Sequence, residues 1–253
     1  MFKIKKERVL GESPRHVTGT VEHAANVARE NVTWLTAGIV VALIVGLAVG
    51  GFLWMRQQND QAAAELLQEG TKVYAERAMA APQPRRPEDI QRAVQVFRKV
   101  LLEFPRSAVA PQAAYMLGNA LSDLRDWDGA EKAYHEFLTR YADHRVLVPL
   151  VYQRLAYAQL AQGKLEQAEQ SFSAILKIIG GPNKDQALFE LGKIDEILNR
   201  PEGALARYQE IIKVYPSSPF ADEASVRVKT LDARKSSSAP AASPAPTQQP
   251  AKK

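Results

Sequence analysis

The 253-residue sequence contains no cysteine and only four histidines. Without cysteine the chain has no disulfides, thiolate metal sites, cysteine nucleophiles or lipid-bearing cysteine of a lipoprotein. The histidines (His16, His23, His135 and His144) have no carboxylate neighbours at metal-ligand spacing, so we interpret them as surface residues. The glycine motifs of nucleotide-binding proteins and serine hydrolases are also missing. We therefore expect no catalytic, metal or cofactor site, and a protein that is not an enzyme.

The positive charge of the chain is concentrated outside the part that should fold. The isoelectric point is about 9.3 and the formal net charge is +5. Residues 56–235 nevertheless carry 25 Lys/Arg and 24 Asp/Glu, while residues 1–31 carry six and four. A nucleic-acid-binding domain needs a basic surface that neutralises phosphates. The near-neutral folded part therefore argues against a nucleic-acid partner.

Residues 32–55 form an apolar run of 24 residues without charge. This run exceeds the roughly 20 residues that a helix needs to cross a bilayer. Trp34 and Trp54 lie near its two ends, where indoles favour the membrane interfaces. A buried core helix and a cleaved signal peptide are the alternatives, but the apolar part of a signal peptide is shorter, about 7–15 residues. We predict an uncleaved, single-pass membrane helix.

The distribution of charge predicts the orientation of this helix. Six Lys/Arg precede it, whereas the 20 residues that follow it hold only Arg56 and Lys72. The positive-inside rule then places residues 1–31 in the cytoplasm and the rest of the chain outside. In a bacterium, the residues that follow the helix would lie on the periplasmic side of the inner membrane.

The apolar run also carries a pattern of small residues. Gly38, Ala42, Gly46 and Gly50 recur every four residues. Such a stripe permits close contact between membrane helices. We predict that it is a contact surface for a partner within the membrane.

Residues 56–235 contain an internal repeat with a period of 36 to 38 residues. Four segments pair an alanine with an aromatic four residues later: Ala93/Phe97, Ala130/Tyr134, Ala168/Phe172 and Ala204/Tyr208. Twelve residues after each alanine stands a plausible helix stop: Pro105, Ala142, Gly180 and Pro216. Leu-Gly or Leu-Ala precedes the later alanines, at Gly118, Ala156 and Gly192. The pattern predicts antiparallel helix pairs, in which small residues allow close approach and the aromatic fills the gap against the next repeat.

This order of Leu-Gly, Ala-x3-aromatic and Pro resembles the tetratricopeptide repeat, although the initial tryptophan of that repeat is absent. The resemblance implies an all-α fold, with a single membrane helix followed by an α-solenoid of about four helix pairs in residues 56–235. Residues 217–235 would supply the terminal cap helix. The first repeat is the least regular, because three prolines at 82–89 interrupt it. Residues 236–253 are rich in Ser, Ala and Pro and are predicted to be a disordered tail.

In this family the first helices of the pairs line a groove that binds protein segments. The resemblance places twelve residues on that groove: Gln112, Tyr115, Asn119, Ser122, Asp123, Gln153, Tyr157, Leu160, Gln186, Phe189, Lys193 and Glu196. The predicted binding residues among them are Tyr115, Asn119, Gln153, Tyr157, Phe189 and Lys193. The three aromatics among them would form a track with polar neighbours, which suits an extended or helical peptide. The alternative is that these aromatics pack between neighbouring repeats, and the sequence leaves both interpretations open.

The whole architecture is similar to the inner-membrane-anchored repeat family that includes the ancillary subunit of the Sec translocon. The resemblance implies a periplasmic, chaperone-linked adaptor whose membrane helix docks with the translocon and whose groove receives protein segments. The segments at 101–118 and 214–224 also resemble envelope-assembly repeat proteins. A structural assembly factor for outer-membrane biogenesis, cell division, pilus or secretion systems, or cytochrome maturation is therefore the alternative. The sequence leaves open whether the chain forms homo-oligomers.

Overall fold

The computed structural model describes residues 32–75 and 86–238. In these ranges every regular element is an α-helix: α1 (Val32–Ala75), α2 (Pro87–Glu103), α3 (Ala110–Asp123), α4 (Trp127–Arg140), α5 (Leu147–Ala161), α6 (Leu165–Lys177), α7 (Lys184–Ile197), α8 (Pro201–Val214) and α9 (Ala221–Ser238). The predicted tail at 1–31, most of the proline loop and residues 239–253 lie outside the described residues. Residues 236–238 belong to α9, although the tail was predicted to begin there.

The chain divides into two compact units, with the boundary between Gln58 and Asn59, inside α1. In the first unit, α1 contains one stretch that is long and apolar enough to cross a membrane, with a mean hydropathy of 2.4 and none of it buried. A helix in a protein core would have its apolar side chains covered. The core-helix alternative is therefore not what the structure shows.

The second unit stacks helices that are neighbours in the chain. The second part of α1, residues 59–75, supplies buried side chains to the same core as α2, α3 and α4. The pairs α3/α4, α5/α6 and α7/α8 follow, each packed against the next, and α9 packs on α8. The predicted all-α solenoid of four helix pairs with a cap helix is confirmed.

Each pair is held by an aromatic ring on its second helix and a small residue on its first. A Cβ added to Gly118 would overlap the ring of Tyr134, and one added to Gly192 would lie 2.6 Å from the ring of Tyr208. The four repeat aromatics (Phe97, Tyr134, Phe172 and Tyr208) are completely buried. The ring therefore packs on the small residue of its own repeat, whereas the sequence pattern led us to place it against the next one.

The turns inside the pairs share one left-handed residue. Arg125, Gly163 and Asn199 have φ of 59°, 73° and 55°, although only one of them is glycine. In each case the amide of the following residue donates to a carbonyl five residues back, as in Asp126 to Leu121 at 3.0 Å. This bond closes the end of the first helix and turns the chain into the second.

The array ends at α9 for a steric reason. In α9, Ala224 and Leu231 are buried as the core residues of a first helix would be. Lys229, however, occupies the position that Gly118 and Gly192 hold in α3 and α7, and it is exposed. A lysine there leaves no room for the aromatic of a further second helix, so α9 acts as the cap.

Candidate protein-binding surface

The first helices of the repeats lie beside one another and form one surface, which we call the first-helix face (residues 59–75, α3, α5, α7 and α9). α3 contacts α5 directly across the intervening repeat boundary. Tyr74 Oη donates to Asp123 Oδ2 at 2.6 Å, which joins residues 59–75 to α3. At the other end, Arg227 Nη1 donates to Glu196 Oε1 at 2.9 Å and joins α9 to α7. The same face is thus tied together by polar contacts from its first helix to its last.

A chain of hydrogen bonds crosses this face between α5 and α7. Gln153 Nε2 donates to Gln186 Oε1 at 2.6 Å, and Gln186 Nε2 donates to Tyr157 Oη at 2.8 Å. Tyr157 in turn donates to Glu190 Oε1 at 3.1 Å. Lys193 Nζ closes the chain at 2.8 Å from the second oxygen of Glu190. Three of the predicted binding residues, Gln153, Tyr157 and Lys193, are therefore brought together.

The tyrosine at the centre of this network remains a proton donor at physiological pH. Burial, together with the negative charge of Glu190, raises the pKa of Tyr157 to about 12. Its ring packs edge-on against the buried ring of Phe172 at 5.4 Å between centroids, so a core residue of the same repeat fixes its position. A rigid, protonated hydroxyl beside a carboxylate and an ammonium group can bind the backbone or polar side chains of a protein segment.

Tyr115 and Asn119 lie farther along the face, on α3. The amide oxygen of Asn119 accepts a hydrogen bond from Tyr134 Oη at 2.8 Å, so part of this side chain holds the core of its own repeat. Tyr115 is half-buried, and its hydroxyl interacts with the guanidinium group of Arg154 on α5, whose pKa it raises. Both residues are partly accessible from the first-helix face, as expected of groove residues, and both also join structural elements.

Phe189 does not contribute to an accessible aromatic track. Its side chain is only 5% exposed and belongs to the core around α8 and α9. It stacks on Phe220 with 5.1 Å between ring centroids and 25° between planes, and it also packs on Tyr208. At this position the alternative interpretation, packing between neighbouring elements, is the one that the structure shows.

Sequence reasoning missed two residues of this surface. Glu190 is 8% exposed and connects Tyr157 with Lys193. Glu190 stands three residues before Lys193, and residues at this spacing lie on the same side of a helix. The sequence therefore did indicate that Glu190 shares the first-helix face with Lys193. Arg154, which contacts Tyr115 across the repeat boundary, had no comparable signal in the sequence.

A second polar cluster joins α4 to the turn between α5 and α6. Glu131 accepts hydrogen bonds from Lys164 Nζ at 2.7 Å, Gln162 at 3.1 Å and Gln159 at 3.4 Å. The burial of Glu131 acts to raise its pKa, but these hydrogen bonds and the lysine charge outweigh burial, so the pKa lies below 4.5. The cluster thus stabilises the boundary between the second and third repeats when Glu131 is ionised.

This cluster gives the stability a pH dependence. Since the pKa of Glu131 is lower in the folded state than in the unfolded state, its contribution is complete above pH 4.5 and disappears as the pH falls through the folded value. At pH 7, Glu131→Gln should lower the free energy of unfolding by about 1 kcal/mol. Glu136→Gln on the same helix breaks an exposed pair with Arg140 and should cost less than about 0.5 kcal/mol. Urea unfolding at a series of decreasing pH values from pH 7 measures both, and a Glu131→Gln effect that stays undiminished as the pH falls would contradict this assignment.

The described residues offer no arrangement for metal chemistry. Within residues 32–75 and 86–238, no group of three or more His, Asp or Glu side chains is placed to hold a metal ion. His144 Nδ1 accepts a hydrogen bond from the Leu147 amide at 3.3 Å and caps α5, while His135 lies 3.7 Å from Glu131 and is exposed. His16 and His23 lie outside the described residues.

The small-residue stripe of α1 is open in the structure. A Cβ added to Gly38, Gly46 or Gly50 would meet no atom within 4 Å. Ala42 lies on the same side of the helix and is exposed. The stripe therefore has room for the close approach of another helix.

Comparison with known proteins agrees with the repeat geometry. Residues 28–177 match the model of the tetratricopeptide repeat-like domain, and residues 154–221 match a tetratricopeptide repeat model. Comparison with curated protein sequences gives no significant match. The first match begins before Val32, so the apolar part of α1 lies inside the matched region.

Solved structures share the fold at low sequence identity. A tetratricopeptide repeat protein from Parabacteroides merdae has 15% identity and a TM-score of 0.56, and the alignment covers 70% of this chain and 62% of that protein. PilF from Pseudomonas aeruginosa has 16% identity and a TM-score of 0.52, with 71% of this chain and 72% of PilF covered.

The stacked helix pairs and their polar first-helix face define a helical-repeat scaffold for protein–protein interaction. Because the family match covers more than half of the sequence, the chain belongs to the tetratricopeptide repeat-like domain family.

Proposed function

We propose that the protein is a non-enzymatic scaffold, anchored in the bacterial inner membrane by residues 32–55, that serves as an ancillary, chaperone-linked subunit of the protein translocation machinery. Residues 1–31 lie in the cytoplasm and the repeat unit lies in the periplasm. The single observation that carries this proposal is the combination, in one chain, of an uncovered apolar helix with a protein-binding repeat array.

The first-helix face is the surface that receives protein segments. It presents hydrogen-bond donors and acceptors side by side, from Gln153 through Tyr157 to Lys193. Such alternating donors and acceptors suit a polypeptide backbone, while Tyr115 and Tyr157 offer partly accessible rings. The affinity would come from several modest contacts along the face, as expected for a scaffold that must release its partners.

The membrane helix makes the second contact. The open stripe of Gly38, Ala42, Gly46 and Gly50 accommodates a helix of the translocon at short distance. Helices pack in lipid through close approach of their backbones. The side of α1 that carries the stripe should therefore contact the translocon helix, and the opposite side should face lipid.

Site-specific crosslinking tests this proposal, and the absence of native cysteine makes each introduced thiol unique. Ala42→Cys lies on the stripe, and Ile44→Cys lies on the opposite side of the same helix. Full-length variants, labelled with a photoactivatable maleimide in membranes, should capture translocon subunits from position 42 and few or none from position 44. Capture of only other envelope machinery from position 42 would overturn the translocon assignment, and capture of a second copy would identify a homo-oligomer.

The first-helix face is tested in the same way. Gln112→Cys is exposed on α3, and Gln209→Cys is exposed on the second helix α8 as a matched control. Protein segments in transit should crosslink from position 112 and not from position 209. Equal capture at both positions would contradict a specific binding face.

A further inference from the structure

The four turns that join one repeat to the next lie along one edge of the second unit, which we call the turn edge (residues 101–111, 138–148, 175–185 and 212–222). Antiparallel helix pairs bring all these turns to the same end of the helices. Neighbouring turns are also bonded: Tyr141 Oη donates to the Pro105 carbonyl at 3.1 Å, and Ser218 Oγ donates to Asp185 Oδ2 at 2.6 Å. These bonds join the first turn to the second and the third turn to the fourth.

Each of these turns exposes a large apolar side chain. Leu102 is 82% exposed, Val146 69%, Ile179 99% and Val214 54%. Ile179 stands alone at the tip of the turn between α6 and α7. Each turn thus presents at least one apolar side chain to its surroundings.

The turn edge is also basic, whereas the opposite edge is acidic. Its four segments contain six Lys/Arg and four Asp/Glu. The segments of the opposite edge (residues 119–129, 157–167 and 193–203) contain four Lys/Arg and seven Asp/Glu. The sign difference between two edges of a nearly neutral unit favours an anionic partner for the turn edge.

Within the turn edge an open groove of about 780 Å³ gathers basic groups. Arg106, Arg140 and His144 line it, together with Asp143 and Ser107. Ser107 is 8% exposed, and its Oγ has no hydrogen-bond partner among the described residues. Ser218 stands at the equivalent place three repeats farther along the chain, and its Oγ donates to Asp185 instead. The two guanidinium groups that line this groove can both donate hydrogen bonds to a phosphate.

The chain enters the second unit at this same edge. Asp60, the second residue of the unit, accepts a hydrogen bond from the Ala108 amide of the first turn at 3.0 Å. Only four residues lie between Met55, the last residue of the apolar run, and Asp60, and even a fully extended chain spans about 17 Å over these five steps. If residues 32–55 occupy a membrane, the first turn must lie within that distance of its surface.

We propose that the turn edge docks on the membrane surface, with its apolar tips in the interface and its basic groups against the phosphate headgroups of anionic lipids. This inference rests on the proposed membrane anchoring and goes beyond it, because anchoring alone does not specify which side of the repeat unit meets the membrane. Interfacial contact of this kind combines apolar insertion with attraction to anionic headgroups. Docking would keep the acidic edge away from the bilayer.

Fluorescence quenching in reconstituted vesicles tests the orientation. Single-cysteine variants of the full chain carry an environment-sensitive dye at Ile179→Cys on the turn edge or at Ile197→Cys near the opposite edge, which is also an exposed isoleucine at 64%. A third variant, Val45→Cys, reports insertion of the apolar run. In vesicles with anionic lipid, headgroup-labelled quencher lipids should quench the dye at position 179 and not at 197, and acyl-chain-labelled quencher lipids should quench it at 45.

The outcomes separate the two proposals. Without quenching at position 45, the anchoring fails. With quenching at 45 but none at 179, or with equal quenching at 179 and 197, the anchoring stands and the docking inference is overturned.

Charge reversal gives an independent result. Arg106→Glu with Arg140→Glu should lower the ratio of docked to undocked protein by at least about 25-fold, since the loss of each basic residue near an anionic membrane removes about fivefold and each added carboxylate is repelled as well. Lys132→Glu with Lys229→Glu, two exposed residues outside the turn edge, changes the net charge equally and should leave quenching at position 179 nearly unchanged. Equal loss in both pairs would show a non-specific charge effect and overturn the assignment to the turn edge.

Discussion

Replacing Phe172 by alanine is expected to lower the free energy of unfolding by about 4 kcal/mol, the largest effect among the substitutions considered. The side chain is completely buried at the centre of the third repeat, with Ala156 and Ile175 in the same core. Its ring supports Tyr157 from below at 5.4 Å between centroids. The truncation therefore opens a cavity and loosens the first-helix network at the same time.

The measurement is thermal unfolding of the full chain in detergent micelles, followed by circular dichroism. The midpoint should fall by about 10 °C, because 1 kcal/mol corresponds to roughly 2–4 °C in a domain of this size. Ile179→Ala is the matched control, since that side chain is 99% exposed, and it should change stability by less than about 0.5 kcal/mol. Equal shifts for both variants would mean that Phe172 is not a core residue of the repeat.

Gly118→Ala is expected to destabilise the protein by about 2 kcal/mol, even though alanine is the better helix former by about 1 kcal/mol. The added methyl group would overlap the ring of Tyr134. That ring is completely buried, and its hydroxyl is held by Asn119 at 2.8 Å and faces Ser122 Oγ at 3.3 Å. The buried ring of Tyr134 therefore cannot shift aside easily to make room for the methyl group.

A double-mutant cycle with Tyr134→Leu isolates this contact. Once the ring is gone, Gly118→Ala should be neutral or stabilising, because only its helix propensity remains. The reverse change at the equivalent site, Ala156→Gly, serves as a second control and should cost about 2 kcal/mol, from helix propensity and from the loss of one buried methyl group. A stabilising Gly118→Ala in the otherwise unchanged protein would contradict the close packing of helix on ring.

The repeat could be predicted from the sequence because its determinants are local. An alanine and an aromatic four residues apart lie on one side of a helix, so Ala130 and Tyr134 already defined the buried side of α4. The helix stops at Pro105 and Pro216 were equally local: α2 and α8 end two residues before them. Gly70, which packs under Phe97, was harder to assign, because the proline-containing connection separates it from Ala93 by 23 residues where later repeats need 12.

The accessible surface could be predicted less well because it depends on the next repeat. Tyr115 and Phe189 both stand three residues before the glycine of their helices, so the repeat register treats them alike. Tyr115 faces Arg154 and stays half-buried, whereas Phe220 covers Phe189 from the turn before the cap helix. These neighbours lie more than 30 residues farther along the chain, and no local pattern specifies them.

The position of the repeat unit relative to the membrane tests the central claim most directly. A single cysteine at the exposed position of Lys132, in the otherwise cysteine-free full chain, can be labelled with a membrane-impermeant maleimide in intact spheroplasts. We predict labelling as complete as after detergent lysis, with the protein retained in the membrane fraction after an alkaline wash. Labelling only after lysis, or release of the protein by the wash, would contradict a membrane-anchored scaffold displayed outside the cytoplasm.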